Sequence, residues 1–273
     1  MDKETYDYVL MPSNEELWLT FKIFTFSAIA TSIIFYLSLY LFWDAPFIAG
    51  TTTKKRIAII SCFPSYIHAV LASLFSTYAL CFENSLYEDY VLGRSVVATT
   101  ACAITAGYMA GDLIIMFMNW RYLWDWQFLL HHTTSSAAFV VSCVYGSYSF
   151  FAMIRLLAEY STIFVNNRAV FYDLGMQTTS AYFYNGLLMV ISFTAARILP
   201  FPWYVYTLYS VTGTTSYNHS GIVKYVAWSA VIFLDSLNII WYRKMLKGAF
   251  KTWNSKKARD QLEQADIKET KQD

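Results

Sequence analysis

Charge is what this sequence has least of. Only 14% of its 273 residues are Asp, Glu, Lys or Arg, against roughly 25% in soluble domains. A net charge of +1 excludes the basic footprint of a nucleic-acid-binding protein. The four cysteines (Cys62, Cys81, Cys102 and Cys143) have neither metal-ligand spacing nor the pattern of a disulfide framework, and all lie in or beside apolar runs. They read as buried, free thiols. The N-terminal residues are acidic (Asp2, Glu4, Asp7, Glu15, Glu16), and no basic run precedes an apolar core as a cleaved signal peptide requires.

What is abundant is hydrocarbon. The chain is 56% hydrophobic and 19% aromatic, with a mean hydropathy of +0.36. A membrane-crossing helix needs about 20 mostly apolar residues. By that rule the fold class is all-α, a multi-pass membrane bundle. Seven spans are expected, near 18–43, 57–82, 94–118, 127–146, 149–171, 178–199 and 222–246. The fifth is the weakest, because it carries Arg155, Glu159, Asn166, Asn167 and Arg168, and six spans is the alternative. Residues 1–17 precede the first span, which reads as a plain anchor. The proline-flanked stretch 200–206 is too short to cross and is expected to lie at the surface or re-enter. The polar tail, 251–273, is expected to be disordered.

Basic residues set membrane orientation. With seven spans, Lys54, Lys55, Arg56, Arg121, Arg168 and the run of Lys and Arg from Arg243 to Lys271 fall on one side, leaving Lys3, Lys22, Arg94, Arg197 and Lys224 on the other. The bias expects a lumenal N-terminus and a cytosolic C-terminus.

Ionisable side chains inside a membrane are costly and face the bundle interior unless they snorkel. The set here is His68, Asp112, His131, His132 and Glu159, and Arg155 and Asp235 also fall inside spans. His131 and His132 are adjacent, so on a helix they point about 100° apart. One can face a cavity while the other braces it against a neighbour. Asp112 is expected near them in the cytosolic half, with His68 and Glu159 deeper, all around one pocket open to the cytosol. Arg155 and Glu159 stand four apart and are expected to pair. Asp235 and Asn238 are three apart. Ala103, Gly107 and Gly111 form a small-residue stripe that lets another helix approach closely, with Tyr108 and Asp112 on the adjoining face. Each polar residue also has a plain reading as a packed, hydrogen-bonded group. Metal catalysis is not expected, since four histidines are too few and two adjacent ones chelate poorly from one helix.

Three stretches taken together resemble the TLC domain. They are Gly107-Tyr108-Met109-Ala110-Gly111-Asp112, the pair His131-His132, and Arg155-Leu156-Leu157-Ala158-Glu159-Tyr160-Ser161-Thr162-Ile163-Phe164-Val165-Asn166-Asn167-Arg168. The similarity covers roughly 51–250. That family includes ceramide synthases and translocating-chain-associating membrane proteins. The resemblance implies a six-helix barrel, formed by the second to seventh spans, around a membrane-embedded cavity in the endoplasmic reticulum. It implies that His131, His132 and Asp112 are catalytic. Acyl transfer from acyl-CoA to a membrane lipid is then the expected activity, in a setting of lipid homeostasis, with His68, Tyr108, Arg155, Glu159 and Asp235 contacting substrate. Acyl-CoA would be a co-substrate, with no tightly bound cofactor. The chain departs from ceramide synthases after the pair, where Arg155 and Glu159 stand in place of clustered acids with a further histidine. The alternative is a lipid-binding or lipid-regulating member without catalysis.

Overall fold

The computed structural model describes residues 11–270, with side chains described to Asn254. Among these residues there are helices and no strands. In chain order they are α1 (Asn14–Phe42), α2 (Thr53–Phe82), the short α3 (Ser85–Glu88), α4 (Val96–Met118), the short α5 (Trp120–Leu123), α6 (Trp126–Tyr145), α7 (Ser149–Leu156), α8 (Glu159–Asp173), α9 (Ser180–Phe193), α10 (Pro200–Ser210), α11 (Thr215–His219) and α12 (Val223–Thr270). A π-helical turn, Thr194–Ile198, joins α9 to α10.

Local chemistry sets the helix starts. Ser13 and Glu16 form a reciprocal capping box at α1. Thr52, Ser95, Asp125 and Thr179 cap α2, α4, α6 and α9 through side-chain oxygens. Gly146 ends α6 at φ 57°, a left-handed position that suits glycine.

Five helices are long and apolar enough to cross a membrane: Asn14–Phe42, Thr53–Phe82, Val96–Met118, the continuous Ser180–Ser210 and Val223–Asn254. The fourth and fifth expected spans are less apolar, yet α6 and the α7–α8 pair run between the same two ends of the bundle. At one end Lys55 Nζ donates to the Asp173 carbonyl at 3.2 Å, Lys244 Nζ to Gln127 at 3.0 Å and Arg168 Nη2 to Thr252 at 3.2 Å. At the other, the Tyr148 amide donates to the Val91 carbonyl at 2.6 Å, and Asp89 accepts from Ser216. The first of these is the basic end, where Lys54, Lys55, Arg56 and Arg121 lie.

Three sequence expectations change here. The span expected at 149–171 is two helices. Between Arg155 and Ser161 the amides of Ala158, Tyr160 and Ser161 donate three residues back, to Arg155, Leu157 and Ala158. That is a tighter turn than the α-helix makes. The stretch 200–206 neither lies flat nor re-enters, because the helix continues through it to Ser210. Pro200 lacks an amide hydrogen and its ring crowds the preceding turn. The π turn just before it widens that turn, with the Leu199 amide reaching back five residues to the Thr194 carbonyl at 2.9 Å. Residues 251–270, expected to be disordered, continue α12 as helix; they are rich in Lys, Ala, Gln and Glu, which favour helix.

The glycine stripe finds its partner in α1, which is therefore more than an anchor. A Cβ added at Gly111 would lie 2.7 Å from the Ala28 carbonyl oxygen, and one at Gly107 would strike the Phe24 carbonyl. Ser27 Oγ donates across the contact to the Ile104 carbonyl at 2.7 Å. Three cysteines are buried and free as expected, whereas Cys81, near the end of α2, is exposed.

Candidate functional site

The histidine pair lies on α6, six and seven residues in from the basic end. His132 turns toward α4, where its Nδ1 stands 2.9 Å from Asp112 Oδ2. A carboxylate at that distance accepts the Nδ1 hydrogen, which leaves the Nε2 lone pair free in a neutral ring. The Tyr108 ring meets His132 edge-on at 6.2 Å and stacks on His68 at 3.9 Å with an interplanar angle of 6°. His68 is buried, with Nε2 3.3 Å from Thr105 Oγ1.

His131 points elsewhere. It faces a cavity of about 100 Å³ inside the bundle, and its Nδ1 is buried without a hydrogen-bond partner. Trp241 meets its ring at 5.3 Å, and Trp241 Nε1 donates to Gln127 at 3.1 Å. On α6 the lining runs from His131 through Ser135 and Phe139 to Ser142, and it continues to Phe201, Tyr204 and Val223. The cavity therefore extends from His131 away from the basic end. This corrects the expected single pocket, which was to gather His68, Asp112, His131, His132 and Glu159. His132 and Asp112 do not line the cavity, and His68 and Tyr108 line a separate groove.

Further along, the cavity wall carries a buried charge network. The Arg155 guanidinium forks onto Asp235, with Nη1 to Oδ1 and Nη2 to Oδ2 both at 2.6 Å, and lies 3.9 Å over the Tyr204 ring. Its Nε is buried and unpartnered. Glu159 is 4.0 Å from Arg197 and 3.9 Å from His68 Nδ1. The expected Arg155–Glu159 pair is absent. The tight turn between them is the reason. At 3.6 residues per turn a four-residue step returns to within about 40° of its start, whereas at 3.0 per turn it lands about 120° away. Each residue then takes a partner from another helix.

Arg197 is the residue that sequence reasoning missed. Counted there as a rim charge, it is buried in the bundle, donating to Ser161 at 3.0 Å, Asn238 at 3.1 Å and Thr162 at 3.2 Å. The signal was present. An arginine three residues before Pro200, inside an apolar run continuing to Ser210, sits at mid-helix and not at an edge. Among the described residues no three His, Cys, Asp or Glu side chains gather as metal ligands. The arrangement offers one imidazole on a cavity, a second imidazole fixed by a carboxylate behind it, and fixed charges beyond.

Comparison with known proteins agrees with the motifs. The TLC domain family model matches residues 58–247. TLC domain-containing protein 4-B of Xenopus laevis is 33% identical over 202 residues, 73% of this chain and 77% of that protein. TLC domain-containing protein 4 of Homo sapiens is 31% identical over 223 residues, 80% and 85% of the two chains. TLC domain-containing protein 1 of Gallus gallus is 24% identical over 189 residues, 68% and 71%. No solved structure matches. With its all-α membrane bundle and a family match over most of its length, the chain belongs to the TLC-domain family of multi-pass integral membrane proteins.

Proposed function

We propose that the protein transfers a fatty acyl group from acyl-CoA to a membrane lipid, with His131 as the base. One observation carries the reading. His131 lines an internal cavity and its buried Nδ1 has no hydrogen-bond partner, while the adjacent His132 is held by Asp112. His131 takes the proton from the acceptor's hydroxyl or amine as that oxygen or nitrogen attacks the thioester carbonyl. The carbon–sulfur bond breaks, the acyl group passes to the acceptor, and the proton leaves with the coenzyme A thiol. His132 and Asp112 are positioning residues that fix the neighbouring ring. The donor headgroup stays at the basic end, near Lys244 and Gln127, and the acyl chain enters past His131 into the cavity.

At about 100 Å³ the cavity is smaller than the roughly 300–1,000 Å³ of ligand pockets in general. The bundle must therefore loosen around a long chain, and the tight turn between α7 and α8 is one place where its helical backbone is interrupted. The same reading sets the basic end in the cytosol and the protein in the endoplasmic reticulum membrane, contributing to lipid homeostasis. The distribution of Lys and Arg supports the orientation.

A whole-lipid profile of cells lacking the protein, rescued by each variant, tests the proposal. His131→Ala should lose about 10²–10⁴-fold in rate with protein abundance near normal. If the double variant His131→Ala/His132→Ala restores the profile as well as wild type, catalysis is refuted and a lipid-binding regulator is the better description.

A further inference from the structure

A second opening lies on the outer face of the bundle, between α1, α2 and α4. It is a groove of about 430 Å³. Phe26, Ala30 and Ile34 of α1 form one wall, and Ile67 and Leu71 of α2 the other. The two α1 hydroxyls along it are already committed. Ser27 Oγ donates to the Ile104 carbonyl, and Thr31 Oγ1 donates to the Ser27 carbonyl at 2.8 Å. What remains is a hydrocarbon trough with a cation at one rim. Lys22 is exposed, lies 5.3 Å over the Trp18 ring, and has no carboxylate partner among the described residues. At the floor is His68, 3% exposed, with Nδ1 lacking a hydrogen-bond partner.

We propose that this groove holds one acyl chain of a phosphate-bearing membrane lipid, with the phosphate at Lys22.

Three observations fit one lipid chain. Lys22 and Trp18 pair a cation with an interfacial aromatic, the combination that sits at headgroup depth. From Lys22 to Ile34 is twelve residues of α1, about 18 Å along the axis, a little over half of the roughly 30 Å hydrocarbon core. The groove floor backs onto the candidate site, since Tyr108 stacks on His68 and meets His132 edge-on. One ring separates a chain in the groove from the His132–Asp112 pair.

The test uses the full chain in phosphatidylcholine nanodiscs containing a trace of phosphatidylcholine with a diazirine in one acyl chain. Labelled peptides are located by mass spectrometry. Labelling should concentrate on residues 22–34 and 64–71, above that of other exposed faces such as Ile232. Ala30→Trp and Ile67→Trp, from opposite walls, should each remove it by filling the trough, so one misfolded variant does not decide the result. Lys22→Gln should weaken labelling by an anionic phosphatidic acid probe carrying the same diazirine chain about fivefold, the loss of one lysine–headgroup attraction, while labelling by a diacylglycerol probe is unchanged. Even labelling of all exposed faces, labelling indifferent to both tryptophans, or a second copy of the chain cross-linked through the groove overturns the proposal.

Discussion

Gly111→Ala, compared with Gly248→Ala, tests how α1 is seated on α4. Both are glycines within helices, and alanine is favoured over glycine there by about 1 kcal/mol. Their surroundings differ. At Gly248 an added Cβ meets nothing within 4 Å, so the propensity gain stands. At Gly111 it lies 2.7 Å from the Ala28 carbonyl oxygen, 2.9 Å from Thr31 Cβ and 3.2 Å from Ala28 Cα. Optimal carbon contacts are about 3.5–4.0 Å, so α1 must retreat by about 1 Å. The obstacle is backbone and cannot rotate aside. Overpacking of this kind costs about 1–3 kcal/mol, leaving a net loss of up to about 2 kcal/mol after the propensity gain. Gly111→Leu should lose more. Heating in mild detergent with a thiol-reactive dye reads the transition, because Cys62, Cys102 and Cys143 are free and buried. At about 2–4 °C per kcal/mol for a chain of this order, Gly111→Ala should melt several degrees below Gly248→Ala. Equal stabilisation by the two substitutions would show that α1 does not rest on this stripe.

Arg155→Met should cost about 3–5 kcal/mol by stranding the buried Asp235 carboxylate; Arg155→Met/Asp235→Leu should recover most of it, and a silent Arg155→Met in the same melting assay would contradict the pair. Asp112→Asn should match His132→Ala in the lipid-profile rescue while keeping near-normal abundance, and full rescue would remove Asp112 from the machinery. A C-terminal tag should be reached by antibody when only the plasma membrane is permeabilised, and a protected tag would reverse the orientation.

The hydrophobic runs determined the bundle. Residues 18–43, 57–82 and 94–118 matched α1, α2 and α4 within a few positions, because about 20 apolar residues have one stable use in a bilayer. The i, i+4, i+8 stripe of Ala103, Gly107 and Gly111 was legible as a contact face, since its period belongs to one helix. The 100° divergence of His131 and His132 was legible for the same reason. What their rings meet was not, because α4, α6 and α12 come together only in the tertiary structure. Tertiary packing alone paired His132 with Asp112, sent Arg155 to Asp235, and brought Arg197 to Glu159, Ser161 and Asn238. Each buried charge takes the partner that three-dimensional proximity supplies, because leaving it unpaired in a medium of low dielectric costs more than any local spacing preference can return.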